Sequence, residues 1–316
     1  MIRTTPNSFQ PEGRTFEPHK VDMTPSKGTI TEVEVVLSEK HGLQVTVRNS
    51  FPLTGGSIND AYRLETSKGE FFLKVNSADR FPSMFAAEVD GLERLSATKT
   101  LRTPTVIGHG ETDDTTWLLL EFVGEGKRNP SFWHHFGKGL AQLHSNAHAQ
   151  FGLERNNYIG SLEQINTQEK EWSTFFIQQR LEPLVKLARD KKRVEAGLAF
   201  RFERLYGKLN DLFPKEPPAL LHGDLWHGNF ICDPESKPVL IDPAVYFGHR
   251  EMDIAMLHLF GSIDPDLIVG YTSEKPLEKE WEKRMELCNL YPLMVHVNLF
   301  GGHYVQEVEK ALGHWV

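Results

Sequence analysis

In GEFFLKVN (69–76) apolar and polar side chains alternate as in a half-buried strand. Phe71, Leu73 and Val75 share one face, and Phe72, Lys74 and Asn76 share the other. The run AYRLET (61–66) precedes it across a Ser67-Lys68-Gly69 turn, which predicts a hairpin. MFAAEVDGLERLSA (84–97) puts Phe85, Val89, Leu92 and Ser96 near one helical stripe, and TTWLLLEFV (115–123) reads as a short, strongly apolar strand. The first third therefore predicts a small antiparallel sheet carrying one helix. GEGKRNP (124–130) has a linker composition and ends in Asn129, a good N-cap, with Pro130 at the first helical position. The helix it opens presents Phe132, Phe136, Leu140 and Leu143 on one face. Helical periodicity dominates from there, as in WSTFFIQQRLEPLVKLA (172–188). The exception is the stretch around 219–247, where short apolar runs alternate with Gly, Asp and Pro.

These patterns predict an α+β chain in three parts. Residues 1–28, polar and punctuated by Pro6, Pro11, Pro18 and Pro25, read as a flexible extension. Residues 29–123 form a small antiparallel-sheet N-lobe, and residues 124–316 a larger, mainly helical C-lobe. A cleft between two such lobes is a favoured place for a small-molecule site.

Composition narrows the function classes. With 39% hydrophobic and 25% charged residues among 316, the chain is an ordinary globular sequence. Its net charge of −8 argues against a general nucleic-acid binder, which needs a basic face to displace counterions. Two cysteines, Cys232 and Cys288, exclude a disulfide scaffold and a cysteine-based zinc site. No apolar run approaches the ~18 residues of a membrane span, and the N-terminus lacks the apolar core of a secretory signal. A cytoplasmic location follows by default, and a monomer without membrane contact is expected.

The chemistry concentrates in LLHGDLWHGNF (220–230) and PVLIDPAVYFGHREMDIAML (238–257). Asp224 is followed by Asn229 five residues on and Asp242 thirteen further, with apolar runs flanking the set. Phosphoryl transfer needs such a set: one carboxylate to orient an attacking hydroxyl, and an amide oxygen with a second carboxylate to hold Mg²⁺ against phosphates. His222-Gly223-Asp224-Leu225 and Asn229 resemble the protein-kinase catalytic loop. By that resemblance Asp224 is the catalytic base, Asn229 and Asp242 are the metal ligands, and Lys74 on its strand holds ATP phosphates with Glu88 as its ion-pair partner. Thr54-Gly55-Gly56-Ser57 resembles a reduced phosphate loop, with Gly55, Gly56 and Ser57 able to approach phosphate. Glu121-Phe122-Val123 resembles the hinge that reads adenine.

The departures are equally informative. There is no G-x-G-x-x-G loop, Gly223 replaces the arginine that pairs with an activation-loop phosphate, and no A-P-E segment follows Asp242. These changes point to the small-molecule kinases of the aminoglycoside and choline phosphotransferase type. HGDLWHGN, IDPAVYFGHREMDIAML, WSTFFIQQRL, FGLERNNYIG and LFGGHY together resemble the fructosamine/ketosamine kinase family over roughly residues 30 to 310. That resemblance implies ATP- and Mg²⁺-dependent phosphorylation of the 3-hydroxyl of a ketose joined to an amine, a deglycation chemistry acting on a small ketosamine or a glycated protein. The same fold could serve another hydroxyl, such as that of an aminoglycoside, choline or homoserine. A pseudokinase would lack Lys74, Asp224, Asn229 or Asp242, and all four are present.

Trp226 and Tyr246 flank Asp224 and Asp242 in sequence and are candidates for the acceptor pocket, since an aromatic face packs on a sugar ring. Trp172 and Arg180 fall on a helix that is either an ordinary core stripe or, by the family resemblance, a neighbour of the acceptor sugar. Asp253 is expected to brace the catalytic loop, and Glu251 either meets a substrate amine or joins that brace. His222 reads as a structural residue of the loop, and His144 and His148, at i and i+4, as a packed or solvated pair.

Overall fold

The computed structural model describes residues 24–53, 58–112 and 115–316. Its N-terminal part runs α1 (Lys27–His41), β1 (Val47–Leu53), β2 (Asp60–Thr66), β3 (Gly69–Ser77), α2 (Met84–Ala97), β4 (Val106–Thr112) and β5 (Thr115–Glu121). The strands form one antiparallel sheet in the order β1-β2-β3-β5-β4. Alternation along each strand decides what packs where. Leu64, Phe71, Leu73, Trp117 and Leu119 meet Val33 and Leu37 of α1. Phe72, Leu118 and Leu120 turn to the opposite face and meet Phe85, Val89 and Leu92 of α2. Lys74 shares the α2 face, and this places its ammonium group against Glu88.

Two sequence expectations are corrected here. The lobe carries two helices, because Lys27–Gly28 already belongs to α1 and not to an extension; Ser26 caps it by accepting from the Thr29 N–H. Weak amphipathicity hid this helix, since it buries only Thr29, Val33 and Leu37. On α2 the buried stripe closes on Leu95, while Ser96 is exposed.

The C-terminal part follows as α3 (Phe132–Leu143), β6 (Asn157–Ile159), β7 (Leu162–Gln164), α4 (Trp172–Phe175), a π-helical turn (Phe176–Leu181) and α5 (Glu182–Asp190). Then come α6 (Ala196–Tyr206), α7 (Leu209–Leu212), β8 (Ala219–Leu221), β9 (Phe230–Cys232), β10 (Pro238–Leu240) and β11 (Tyr246–Gly248). The chain closes with α8 (Glu251–Leu259), α9 (Pro265–Glu274), α10 (Trp281–Leu299) and α11 (Tyr304–Gly313). Helix α3 begins at Phe132, not Pro130, because the Asn129 side chain accepts from the Ser131 N–H and hydroxyl and forms a turn ahead of the helix. The 172–188 segment is helical throughout but widens into the π turn.

The irregular 219–247 stretch resolves into two nested pairs, β8 with β11 and β9 with β10. Nesting brings the loop between β8 and β9 and the loop between β10 and β11 out at the same end. Two backbone bonds stitch them: Ile241 N to Asn229 O at 3.0 Å and Ala244 N to His222 O at 2.9 Å. Both cysteines are free and buried, and no helix among the described residues is long and apolar enough to cross a membrane.

Candidate active site

A cleft of about 850 Å³ separates the sheet from the helical part. Lys74, Glu88, Glu121, Phe122, Val123, Asp224, Trp226, Asn229 and Asp242 all line it. Lys74 and Asp242, 168 positions apart in sequence, thus meet because β3 and the two stitched loops face each other across the gap. The candidates Gly55, Gly56 and Ser57 lie outside the described residues.

Lys74 is the bridge. Its Nζ donates to Glu88 Oε1 and to Asp242 Oδ1, each at 2.7 Å. Burial alone would lower the ammonium pKa, but the two carboxylates outweigh it and hold the group above its ordinary value. Burial pushes Glu88 upward, against the pull of Lys74. Asp242 sits at φ 54°, a left-handed conformation that aspartate tolerates better than most residues and that turns its side chain from β10 into the gap.

Asp224 is half-buried on the opposite lip. Asn229 fixes it by donating one Nδ2 to both the Asp224 carbonyl (2.8 Å) and Oδ2 (2.9 Å). Burial and the nearby Asp242 charge raise the Asp224 carboxyl to about 7, while the Asn229 bond opposes the rise. With its amide nitrogen spent, Asn229 has an Oδ1 that carries no hydrogen bond among the described residues. Among those residues no cluster of three His, Cys, Asp or Glu side chains gathers. Asn229 Oδ1 and the Asp242 carboxylate are hard oxygen donors, few in number. That is the donor set Mg²⁺ takes when phosphate and water complete its shell.

The loop is held from behind. Asp253, fully buried at the start of α8, accepts from the His222 N–H (2.7 Å), the Gly223 N–H (2.9 Å) and His144 Nε2–H (3.2 Å). Tyr271 OH donates to His144 Nδ1 at 2.9 Å. These donors hold Asp253 below the usual carboxylate range although burial pushes the other way. His222 donates Nε2–H to the Ile241 carbonyl at 2.9 Å and accepts the Asp224 N–H on Nδ1 at 3.3 Å. It links both loops and does not enter the gap. Gly223 is required by space: at φ +84° a Cβ would lie 2.0 Å from the Ala244 carbonyl oxygen.

Three acceptor-site candidates are corrected. Trp172 stacks among Phe151, Phe176 and Phe213, and only 6% of it is exposed. Arg180 is fully buried; its guanidinium lies 4.0 Å from the Tyr246 ring centroid and donates to Asn166 Oδ1 at 2.7 Å. Tyr246 closes that stack on β11. None of the three lines the cleft: an aromatic cluster at helical spacing packed into the core beneath the site. Glu251 is likewise structural, paired with Arg284 at 2.7 and 2.6 Å. His144 belongs to the Asp253 brace, and His148 stacks on Phe247.

Sequence reasoning missed Asn157 and Gln164. They donate to the carbonyls of Val245 (2.8 Å) and Ala244 (3.0 Å) and so pin the segment after Asp242. It also missed His296 and Phe300, which line the far end of the cleft. FGLERNNYIG contains Asn157 and LFGGHY contains Phe300, and these two segments were the available signal.

A lysine–glutamate pair on a small sheet, facing an aspartate–asparagine loop and a second aspartate, defines a kinase-like phosphotransferase that acts on a hydroxyl. The comparisons agree. The family model for fructosamine kinase matches residues 29–316. A probable ketoamine kinase of Enterococcus faecium is 39% identical, the alignment covering 83% of this chain and 93% of that protein. The crystal structure of a candidate fructosamine-3-kinase from Thermobifida fusca superposes with a TM-score of 0.81 at 32% identity, covering 90% of this chain and 98% of that one. An aminoglycoside phosphotransferase, solved in a ternary complex with AMP-PNP and hygromycin B, shares the fold at a TM-score of 0.60 and 14% identity, covering 89% and 96%. The chain belongs to the fructosamine kinase family.

Proposed function

We propose that the protein uses ATP and Mg²⁺ to phosphorylate the 3-hydroxyl of ketosamines of the fructosamine or ribulosamine type, a deglycation activity. The lobe boundary falls at residues 123 and 124. The observation that carries this reading is the convergence of Lys74, Asp224, Asn229 and Asp242 on one cleft. Adenine sits against Glu121–Val123; the peptide groups of Phe122 and Val123 carry no backbone hydrogen bond among the described residues. Lys74, kept charged and aimed by Glu88, holds the α- and β-phosphates; Gly55, Gly56 and Ser57 belong to the same phosphate-binding role. Asn229 Oδ1 and the Asp242 carboxylate would hold the metal, which when bound would neutralise charge on the phosphates.

Asp224 orients the acceptor. Its carboxylate accepts the hydrogen bond of the sugar hydroxyl, which aims the oxygen at the γ-phosphorus. As the new O–P bond forms, the bond from phosphorus to the β-bridging oxygen breaks and ADP leaves; the hydroxyl proton passes to Asp224. Little prior activation of the nucleophile is needed in a loose transition state. Trp226, exposed beside Asp224 in the cleft, stacks on the sugar.

The test is ADP release with Mg²⁺-ATP across ketosamines from erythrulosamine to fructosamine, with the product identified by mass and phosphorus NMR. A ketosamine 3-phosphate supports the reading. Turnover of choline or an aminoglycoside, with none of any ketosamine, would replace it.

A further inference from the structure

Arg180 is a buried charge that the mechanism above does not use. It lies on the π-helical turn with none of its surface exposed, and π turns inside helices gather at functional sites. Its guanidinium donates to the Ile165 carbonyl, to the Gln179 carbonyl at 3.0 Å and to Asn166 Oδ1 at 2.7 Å, none of them a carboxylate. Its Nε–H has no partner among the described residues. The rings of Phe175, Tyr246 and Tyr291 surround the cation at 4.6, 4.0 and 5.3 Å. Burying a cation without a counter-ion is costly, so packing alone would favour an apolar side chain here.

The Asn166 contact opens a chain of buried amides. Asn166 Nδ2 donates to Asn157 Oδ1 at 2.9 Å and to the Arg155 carbonyl at 3.1 Å. Asn157 Nδ2 donates to the Val245 carbonyl at 2.8 Å. Gln164 Nε2 donates to the same Asn157 Oδ1 at 2.7 Å and to the Ala244 carbonyl at 3.0 Å, while Gln164 Oε1 accepts from Tyr291 OH at 2.6 Å. Asn157, Gln164, Asn166 and Tyr291 are all buried. An amide turned end for end keeps its shape, so its hydrogen bonds decide where the oxygen points. The chain begins at a group that can only donate and ends at two carbonyls that can only accept, and a single direction satisfies it. A charged first donor also strengthens each bond behind it.

The two carbonyls lie two and three residues beyond Asp242. That residue holds a left-handed φ of 54°, a conformation that persists only where the surroundings enforce it. We propose that Arg180 is a positioning residue for Asp242: through Asn166, Asn157 and Gln164 it fixes the backbone at Ala244 and Val245, and so aims the Asp242 carboxylate into the cleft. The consequence for Mg²⁺ rests on the kinase reading above, whereas the relay itself does not.

Asn166→Asp cuts the relay at its second member. It keeps an oxygen for Arg180 and adds a counter-charge, but it has no N–H for Asn157. Asn157 must then turn its nitrogen toward residue 166, which sets its oxygen against the Val245 carbonyl. Two measurements follow. Hydrogen exchange of the peptide covering residues 242–247 should be about tenfold faster or more, the equivalent of one lost hydrogen bond. Calorimetry should show Mg²⁺-ATP bound about tenfold more weakly, with ATP in EDTA changed by less than about twofold. Arg180→Lys, which keeps the charge and still only donates, should stay within about threefold of the wild type in both, while Arg180→Gln should behave as Asn166→Asp does. This second pair decides the matter if Asn166→Asp does not fold. Unchanged exchange at 242–247, an equal loss of ATP affinity with and without Mg²⁺, or equal losses in Arg180→Lys and Arg180→Gln overturns the proposal. A wild-type protein that binds no Mg²⁺-ATP removes the kinase reading, and the exchange measurement then decides the relay by itself.

Discussion

Asp253→Asn is the sharpest perturbation of the site that leaves the cleft itself untouched. The carboxylate is buried and accepts three donors, the N–H groups of His222 and Gly223 and the His144 imidazole. An amide of the same shape has one acceptor oxygen and turns two N–H donors toward groups that are themselves donors. At least one buried donor is orphaned and a charged acceptor is lost. Each orphan costs about 1–3 kcal/mol, so the sum is about 3–5 kcal/mol. In a chain of 316 residues, whose unfolding entropy is about 0.66 kcal/mol/K, that lowers Tm by roughly 5–8 °C. The loop that carries Asp224 also loosens, and a misplacement near 1 Å costs about a hundredfold in kcat. The pH dependence carries the same signature. Folded Asp253 titrates below its ordinary value of 3.8, so its contribution is complete above that value and is lost as pH falls through the folded value. The gap in stability between the wild type and the variant, measured by urea unfolding, should be widest near pH 7 and narrow below about pH 4. A Tm within about 2 °C of the wild type would refute the bracing role.

Other perturbations test the remaining contacts. Lys74→Met removes the cation between Glu88 and Asp242 and should cost about 3–5 kcal/mol in urea unfolding at pH 8. The loss should be smaller at pH 5, where Glu88, already raised by burial, can take a proton. Asp224→Asn should act in the opposite sense in the nucleotide-free protein. Folded Asp224 titrates near 7 against an ordinary 3.8, so wild-type stability falls as pH rises between those values. The variant should therefore gain on the wild type at pH 8 relative to pH 5, and equal pH dependence would contradict the buried-charge argument. Gly223→Ala forces a Cβ to within 2.0 Å of the Ala244 carbonyl and should lower both Tm and kcat; unchanged values of both would show that the loop accommodates it.

Much of this site was legible in the sequence because its parts obey local rules. Lys74 sits on a strand whose alternation is strong, and Glu88 on a helix whose apolar stripe is regular apart from its end. Asp224, Asn229 and Asp242 stand at fixed spacing between short apolar runs, and those runs became the nested strands that align them. What stayed hidden depends on contacts between distant segments. Helix α1 buries too few side chains to show a clear period. Trp172 and Arg180 look alike in sequence whether a helix faces substrate or core, and only the stack of Arg180 on Tyr246 decides for the core. His296 lies 72 positions beyond Asp224 on a helix with apolar residues on every side, where periodicity points nowhere. Asn157 and Gln164 reach the segment after Asp242 through carbonyl contacts 80 to 88 residues away.

The assignment of Asp224 as the group that receives the acceptor's proton is tested most directly by Asp224→Ala, measured for nucleotide affinity by calorimetry and for turnover of a ketosamine in the same preparation. The account predicts Mg²⁺-ATP binding close to that of the wild type, with kcat lower by about a hundredfold or more. Wild-type turnover in the variant would contradict it.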